Sequence, residues 1–383
     1  MTPAARAAAA IAILDGILAG QAAEAALIRW ARASRFAGSG DRAAVRDLVF
    51  DALRRRRSRA ALGGALSGRG LLLGLCREEG ADPATLFTGE GHGPPALSAA
   101  ELAAGRAPTP AEALDLPDWL LPLWHEALGA AAEPVALAMR DRAPVWLRVN
   151  LRRADPARAA AALAEEGIAT VAHAELPTAL RVSEGARRLS GCRAYREGLV
   201  ELQDLSPQLA CALLPAQGSL LDFCAGGGGK ALAMAARGAG PITAHDIDAG
   251  RMADLPARAE RAGVRIRLAA PGKVAGRFDT VLADVPCSGS GTWRRSPEAK
   301  WRLTPEALRR LLSVQGGILD QAAGFVAPGG YLAYMTCSVL SAENQGQAHA
   351  FLARNPGFEP VAERRFTPLE ASDGFYLALM RRR

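Results

Sequence analysis

The chain has 383 residues, and its 46 basic residues outnumber its 39 acidic residues to give a formal net charge of +7. That length fits two or three domains, and a composition that is 50% hydrophobic and 22% charged excludes an intrinsically disordered chain. The sequence has no membrane-spanning apolar run, and its six scattered cysteines form neither a disulfide scaffold nor a zinc motif, so we expect free thiols in a reducing cytoplasm.

The first part of the chain, residues 1–140, is predicted to be all helical. An alanine-rich stretch near the start could pass for a signal-peptide core, but Asp15 interrupts it, and we interpret it as the first helix. Apolar residues recur at helical spacing at Ile11, Leu14 and Leu18, and again at Val45, Leu48, Val49, Ala52 and Leu53.

Basic residues are concentrated at the end of the second of these helices, from Arg54 to Arg57 and at Arg59. Only three of the 46 basic residues are lysines, and part of this arginine excess reflects the composition of the genome. The net charge is therefore open to two interpretations, no partner at all or a polyanion such as RNA. Arg54 and Arg55 are our candidates for RNA contact, although cations at a helix C-terminus are favourable whatever their function.

The rest of the chain reads as two α/β parts. Residues 141–200 predict a small unit, similar to an RNA-recognition motif, with strands at 145–151, 168–176 and 179–183 and a helix at 156–167. Residues 201–383 predict strands at 219–226, 242–248, 278–286 and 330–338, with helices at 230–238 and 308–326. This alternation is typical of a parallel, doubly wound sheet, which binds its ligand at the carboxyl ends of the strands.

A glycine-rich loop follows the first strand of this third part, where residues 222–230 read DFCAGGGGK. A phosphate-binding loop is excluded, because position 224 is Cys and position 231 is Ala. The dinucleotide-binding fingerprint fits only loosely. The remaining candidate is the S-adenosylmethionine loop of class I methyltransferases, in which an acid at the end of the next strand binds the ribose. Asp246 stands at that position, with Asp248 close behind.

Two cysteine motifs lie further along the chain. The first reads DVPCSGSGTWRRSPEAKW from Asp284, and the second reads TCS from Thr336 and is followed by Glu343 and Asn344. Each cysteine closes a predicted strand, so we expect both at the ligand-binding edge of the sheet. With the CAGGGGK loop, these motifs resemble the Fmu/Sun family of RNA 5-methylcytosine methyltransferases, and the segment GDRAAVRDLVFDALRR resembles the NusB-like domain found in its ribosomal RNA members.

The resemblance covers nearly the whole chain and implies its organisation and partners. It implies a NusB-like RNA-binding domain over 1–140, the small α/β unit over 141–200, and a Rossmann-like methyltransferase domain with a mostly parallel seven-stranded sheet over 201–383. It also implies a monomer with S-adenosylmethionine as cofactor and small-subunit ribosomal RNA as the first candidate substrate. The implied cofactor-binding residues are Cys224, Ala225, Gly226, Gly227, Gly228, Gly229, Lys230, Asp246, Arg251 and Asp284.

The resemblance implies the chemistry as well. Cys337 would add to carbon 6 of cytosine, which makes carbon 5 nucleophilic, and Cys287 would assist release of the product. Asp284 would hydrogen-bond the cytosine ring edge. Lys230 would either lower the pKa of the attacking thiol or bind a nearby carboxylate, and the sequence leaves both possibilities open.

Further basic residues follow the first cysteine motif at Arg294, Arg295 and Lys300. Because they come directly after the cysteine loop, we expect them to contact the phosphates of the RNA, although they could also form a solvated basic face. Trp293 and Trp301 suit packing as well as they suit base stacking.

The sequence departs from the family at two places, and three other functions stay open. Gly226 and Gly227 replace the usual Ala-Pro, and Ala269 and Ala270 stand where the family has an acid that contacts adenine. The second departure leaves room for a non-catalytic RNA-binding protein, but both cysteines and Lys230 are present. A transfer RNA substrate is an alternative, whereas DNA cytosine methyltransferases use a single cysteine.

Overall fold

The computed structural model describes residues 1–383, which form two compact units. The first unit contains residues 1–142 and 292–303, and the second contains residues 143–291 and 304–383. The sequence places the first boundary near residue 140 but assigns the segment 292–303 to the third part of the chain. None of the helices combines the length and the apolar character needed to cross a bilayer.

The first unit is all helical, as the sequence predicts. Its helices are Pro3–Leu18, Ala23–Ala33, Ser39–Arg54, Arg56–Gly63, Gly68–Glu79, Ala99–Ala103, Pro110–Ala113, Leu121–Leu128, Ala132–Ala138 and Pro297–Arg302, with 3-10 turns at Pro83–Thr85, Asp118–Leu120 and Gly129–Ala131. The apolar stripes seen in the sequence form its core, in which Leu14, Val49 and Leu72 are completely buried.

The segment 292–303 lies in the helical unit because its side chains are buried there. Trp293 is 1% exposed, and its ring stacks on that of Trp124 with the centroids 6.0 Å apart. Glu298 accepts a hydrogen bond at 2.8 Å from the backbone N–H of Ala23, which has no partner within its own helix because it lies in the first turn. These twelve residues therefore belong to the core of the first unit and not to the third domain to which the sequence assigns them.

The second unit begins with a small antiparallel sheet. Its strands are β1 (Val145–Val149), β2 (Thr170–Ala172), β3 (Ala179–Val182) and β4 (Val200–Leu202), in the order β2-β3-β1-β4, with helices Pro156–Glu165 and Arg193–Arg196 and a 3-10 turn at Ala186–Gly191. Glu201 of β4 forms ion pairs with Arg258 at 3.3 Å and Arg261 at 3.0 Å. These pairs join the small sheet to the remainder of the second unit, so the two parts form one compact body.

The large sheet of the second unit has seven strands, six of which run in the same direction. In chain order they are β5 (Leu220–Asp222), β6 (Ile242–His245), β7 (Ile266–Ala269), β8 (Phe278–Asp284), β9 (Val326–Thr336), β10 (Phe358–Phe366) and β11 (Phe375–Arg382). The order in the sheet is β10-β11-β9-β8-β5-β6-β7, and β11 runs antiparallel to both of its neighbours, β9 and β10. The predicted mostly parallel, seven-stranded α/β fold is confirmed.

Helices cover both faces of this sheet, which explains why its central strands are apolar runs. They are Leu205–Ala212, Gly229–Ala236, Leu255–Ala262, Pro305–Ala323 and Gln345–Arg354, with 3-10 turns at Ala249–Met252 and Ser341–Glu343. The chain order reverses at β5, which pairs with β6 on one side and β8 on the other. A crevice forms at the carboxyl edge where such a reversal occurs, and this is where a doubly wound sheet binds its ligand.

Candidate functional site

The glycine loop connects β5 to the helix Gly229–Ala236 at the point where the strand order reverses. Gly226 and Gly228 have φ values of +49° and +77°, a left-handed conformation that residues with a side chain rarely adopt. A Cβ at Gly228 would lie only 2.2 Å from the side chain of Leu255. The loop therefore needs glycine at these positions to turn and to present its backbone at the crevice.

Asp246 follows β6, beside the glycine loop, as the sequence predicts. It is 1% exposed, and its carboxylate accepts hydrogen bonds from the backbone N–H groups of Gly226 at 2.9 Å and Asp248 at 3.1 Å. Arg251 forms an ion pair with it at 3.4 Å. The next residue, Ile247, is 79% exposed, which provides an apolar surface at the edge of the crevice that sequence reasoning missed.

Two side chains outside the glycine-loop and cysteine motifs also hydrogen-bond the glycine loop. Arg258 donates to the carbonyl of Gly227 at 2.5 Å, and Gln203 donates to the carbonyl of Gly229 at 3.3 Å. Gln203 lies just after β4 of the small sheet. The loop is therefore fixed in part by the small sheet, a long-range relationship that the sequence pattern does not reveal.

A cavity of about 170 Å³ opens beside the loop, and Asp222 is part of its lining. Lys230, Asp284, Gln203 and Cys224 also line it. Asp222 is 1% exposed, and its Oδ1 atom has no hydrogen-bond partner. Burial raises the pKa of Asp222 to about 7, against the opposing effect of Lys230. A buried, unpartnered carboxylate oxygen facing a small cavity is suited to a cationic ligand group, because a charge or hydrogen bond supplied there would satisfy it.

Lys230 forms an ion pair with Asp284, with Nζ and Oδ2 2.5 Å apart. Its ammonium also lies 5.3 Å from the ring centroid of Phe375. Burial by itself would lower the pKa of Lys230, but Asp284 more than offsets this effect and the pKa is raised above its ordinary value. Of the two possibilities left open by the sequence, the structure places Lys230 on a carboxylate. This contact fixes the orientation of Asp284 at the end of β8.

Cys287 and Cys337 follow the neighbouring parallel strands β8 and β9, and their sulfurs are 3.3 Å apart. Both side chains are partly exposed. The hydrogen bond with Cys337, together with burial, raises the pKa of Cys287 well above its ordinary value. Cys287 therefore keeps its proton at neutral pH, and either sulfur can act as the donor in this contact. Two thiols at this distance can act on the same carbon–carbon bond of a substrate.

Serine hydroxyls join the two cysteine loops directly. The hydroxyls of Ser290 and Ser338 are 2.8 Å apart, and Ser290 also accepts a hydrogen bond from the backbone N–H of Val339 at 2.9 Å. Glu343, which is completely buried, accepts a hydrogen bond from Ser338 at 2.6 Å. The sequence motif contains Glu343, but its spacing does not reveal this contact.

The cofactor residues named from the sequence are brought together, whereas the predicted RNA-contacting residues are not. Arg54, Arg294 and Lys300 are 7%, 7% and 2% exposed, so these side chains do not form a surface for a phosphate backbone. Arg55 is half-buried and paired with Glu78 at 3.0 Å. Arg295 alone among the five is exposed.

The buried cations have a structural explanation within the helical unit. The helix Ser39–Arg54 ends with carbonyl groups that have no partner inside the helix. Lys300 donates to the carbonyl of Arg54 at 3.3 Å, and the indole of Trp301 donates to that of Leu53 at 2.7 Å. Lys300 and Trp301 therefore cap a helix, and the buried Lys300 and Arg54 belong to an internal contact.

Two protein-family models match the chain. A model described as 16S rRNA methyltransferase RsmB/F matches residues 210–381, and a model described as an RsmF/B-like ferredoxin-like domain matches residues 116–187. The first contains the glycine loop and both cysteine motifs. The second contains β1, β2 and β3 and begins within the helical unit.

Curated relatives carry a ribosomal RNA methyltransferase name. Ribosomal RNA small subunit methyltransferase B of Xylella fastidiosa strain 9a5c is 36% identical over 286 residues, which cover 68% of this chain and 67% of that protein. The protein of the same name from Klebsiella pneumoniae subsp. pneumoniae is 33% identical over 288 residues, which cover 70% of this chain and 66% of that protein. The chain thus spans about two thirds of the length of these relatives.

Solved structures share the fold. The crystal structure of a protein named PH0851 superposes with a TM-score of 0.78 at 22% identity, covering 99% of each chain. NSun6 from Pyrococcus horikoshii, solved with the S-adenosylmethionine analogue SFG, superposes with a TM-score of 0.63 at 16% identity, covering 70% of this chain and 98% of that one. At these sequence identities, the superpositions show that this chain shares the fold of both proteins.

Proposed function

Because the chain belongs to the RsmB/F family of S-adenosylmethionine-dependent 16S ribosomal RNA methyltransferases, we propose that it methylates carbon 5 of a cytosine in RNA. Small-subunit ribosomal RNA is the substrate we favour, and transfer RNA is the alternative. The observation that carries the proposal is the 3.3 Å separation of the Cys287 and Cys337 sulfurs at the carboxyl edge of the sheet. A non-catalytic RNA-binding protein would not need two such thiols.

The residues around the glycine loop fit S-adenosylmethionine. The unpartnered Oδ1 of Asp222 suits the ammonium of its methionine end, and Asp246 suits the ribose hydroxyls. Gly226 and Gly228 keep the backbone accessible, and the exposed side chain of Ile247 offers an apolar contact for the adenine in place of the absent acid. The cofactor supplies the electrophilic methyl group for the reaction.

The proposed reaction uses the two thiols in sequence. The thiolate of Cys337 adds to carbon 6 of cytosine, which forms a carbon–sulfur bond and shifts the electrons of the 5,6 double bond toward carbon 5. Carbon 5 would then take the methyl group while the bond between that methyl and the cofactor sulfur breaks. A base such as water would remove the proton from carbon 5, and departure of Cys337 as a thiolate would restore the 5,6 double bond. Cys287, whose sulfur faces that of Cys337, assists the elimination.

In the proposed reaction, Asp284 and Lys230 hold the cytosine base. Asp284 lies at the end of β8, three residues before Cys287. Its carboxylate forms an ion pair with the ammonium of Lys230. A carboxylate so fixed can accept a hydrogen bond from the exocyclic amine of cytosine as the adduct forms. The target base must leave its stack to reach these groups.

Methyl transfer to defined RNA tests the proposal. Purified protein, incubated with labelled S-adenosylmethionine and unmodified small-subunit ribosomal RNA, should place label on carbon 5 of cytosine, which nuclease digestion and chromatography of the nucleosides identify. Parallel reactions with unmodified transfer RNA distinguish the alternative substrate. Absence of label from both RNAs, with S-adenosylmethionine still bound, would favour the non-catalytic protein.

A further inference from the structure

The helical unit contains an open groove of about 750 Å³ that the proposed chemistry does not use. Its lining includes three arginines (Arg56, Arg57 and Arg106) and two tryptophans (Trp119 and Trp301). All five side chains lie in the first compact unit, and Trp301 comes from the segment 292–303. A groove of this volume is large enough for a small ligand or part of a larger one.

Arg56 differs from the other two arginines because no carboxylate pairs with it. Arg57 forms an ion pair with Asp118 at 2.7 Å, and Arg106 pairs with Glu112 at 2.7 Å. Arg56 instead lies with its guanidinium carbon 5.0 Å from the ring centroid of Trp301. Its charge is thus available to a ligand, and its position over a ring limits the conformations that the side chain samples.

The orientation of Trp301 is fixed by its hydrogen bond to the carbonyl of Leu53. Trp119, in the turn Asp118–Leu120, is partly exposed in the same groove. An indole ring that remains partly exposed in a groove offers a face on which a nucleobase can stack. The groove therefore combines an unpaired guanidinium, which binds phosphate through two parallel hydrogen bonds, with aromatic surface.

We propose that this groove binds one unpaired nucleotide of the substrate RNA, separate from the target cytosine, with the phosphate on Arg56 and the base against Trp119. The inference rests on the proposed function in that it takes the substrate to be RNA. Glu112 and Asp118 neutralise Arg106 and Arg57, so Arg56 is the one uncompensated charge in the groove lining, which favours a single phosphate over a long track. The basic run of the sequence is thereby divided: Arg54 faces the interior, and Arg56 faces the ligand.

Steady-state methylation with variants of the intact chain tests the groove. Arg56→Ala and Trp119→Ala should each raise the KM for RNA about tenfold, while kcat at saturating RNA and the Kd for S-adenosylmethionine stay within about twofold. Arg56→Ala should also reduce the slope of log KM against log salt concentration by about 0.7, whereas Trp119→Ala should leave that slope unchanged. Arg46→Ala is the matched control, since Arg46 is an exposed arginine of the same unit, paired with Glu24 and outside the groove.

The possible outcomes separate the groove from the active site. An unchanged KM for RNA in both groove variants, or an equal rise in the Arg46→Ala control, would overturn the inference even if the wild-type protein methylates cytosine. If the wild type transfers no methyl group, filter binding of the same RNA gives the Kd in place of KM. A groove-dependent Kd would then support the inference while the proposed function fails.

Discussion

Ser288, the residue after Cys287, donates both its backbone N–H and its hydroxyl to the carboxylate of Glu343, the former at 2.7 Å. Glu343 also accepts a hydrogen bond from the amide of Gln315 at 3.0 Å and from Ser338, the residue after Cys337. One buried carboxylate thus binds the residues that follow both cysteines. A buried donor without an acceptor would lower the stability of the fold, so both cysteine loops are held against the Glu343 carboxylate. These contacts therefore fix the relative position of the two thiols.

Replacing Glu343 by glutamine should loosen both cysteine loops. The glutamine amide has nearly the same shape as the carboxylate. However, its NH₂ group cannot accept the hydrogen bonds that Ser288, Gln315 and Ser338 donate to the two carboxylate oxygens. We expect the free energy of unfolding in urea to fall by about 2 kcal/mol. We also expect kcat to fall about tenfold or more, because small displacements of reacting groups are costly. Glu306→Gln, at an exposed acid of the same unit, is the control and should change neither quantity. Unaltered kcat in Glu343→Gln would show that the carboxylate does not position the thiols.

The two cysteines should give different products when each is replaced by alanine. Cys337→Ala should abolish methyl transfer, because no thiolate adds to carbon 6. Cys287→Ala should allow addition but slow elimination, so that labelled RNA stays attached to the protein on a denaturing gel. Cys192→Ala, which removes a buried thiol of the small sheet region, is the control and should turn over normally. An adduct in Cys337→Ala in place of Cys287→Ala would reverse the two roles.

Much of the candidate site could be predicted because its residues lie at the ends of recognisable strands. The apolar runs before Asp246, Cys287 and Cys337 indicate strands, and a parallel sheet brings the carboxyl ends of its strands to one edge. The contact of Ser288 with Glu343 could not be predicted, because it joins residues 55 positions apart through the packing of two loops. The sequence pattern also does not predict the strand β10. This strand lies at the edge of the sheet and its side chains are mostly exposed, so its sequence lacks an alternation of apolar and polar residues.

The basic residues show where sequence reasoning is ambiguous. A lysine or arginine near a helix end can serve a nucleic acid or cap the carbonyls of that helix, and both roles leave the same composition. Burial decides between them, and Lys300 and Arg54 are buried while Arg56 lines the open groove. These side chains are buried because the segment 292–303 packs among the helices of the first unit. No local sequence pattern predicts that packing.

The affinity for S-adenosylmethionine should depend on pH through Asp222. Burial raises the pKa of this carboxyl to about 7, so in the free protein it takes up a proton as the pH falls through neutrality. Only the carboxylate form attracts the ammonium of the cofactor. The Kd measured by calorimetry should therefore rise as the pH is lowered from 8 to 6, by up to about tenfold for each pH unit below the pKa. Asp222→Asn should bind more weakly at pH 8 and lose this pH dependence, and persistence of the dependence in that variant would assign it to another group.

Lys300 should make the stability of the protein increase with pH in the alkaline range. Burial lowers its pKa to about 8, although Asp115 acts in the opposite direction. Below pH 8 the folded and unfolded chains both carry the proton, whereas between about pH 8 and the ordinary value of 10.5 the unfolded chain holds one more proton than the folded chain. The free energy of unfolding of the wild type, relative to Lys300→Met, should therefore rise over this range by at most about 1.4 kcal/mol per pH unit. Urea unfolding at several pH values measures the slope, with Lys273→Met as the control for loss of an exposed lysine. If the difference in free energy of unfolding between wild type and Lys300→Met did not change with pH, Lys300 would have the same pKa in the folded and unfolded chains.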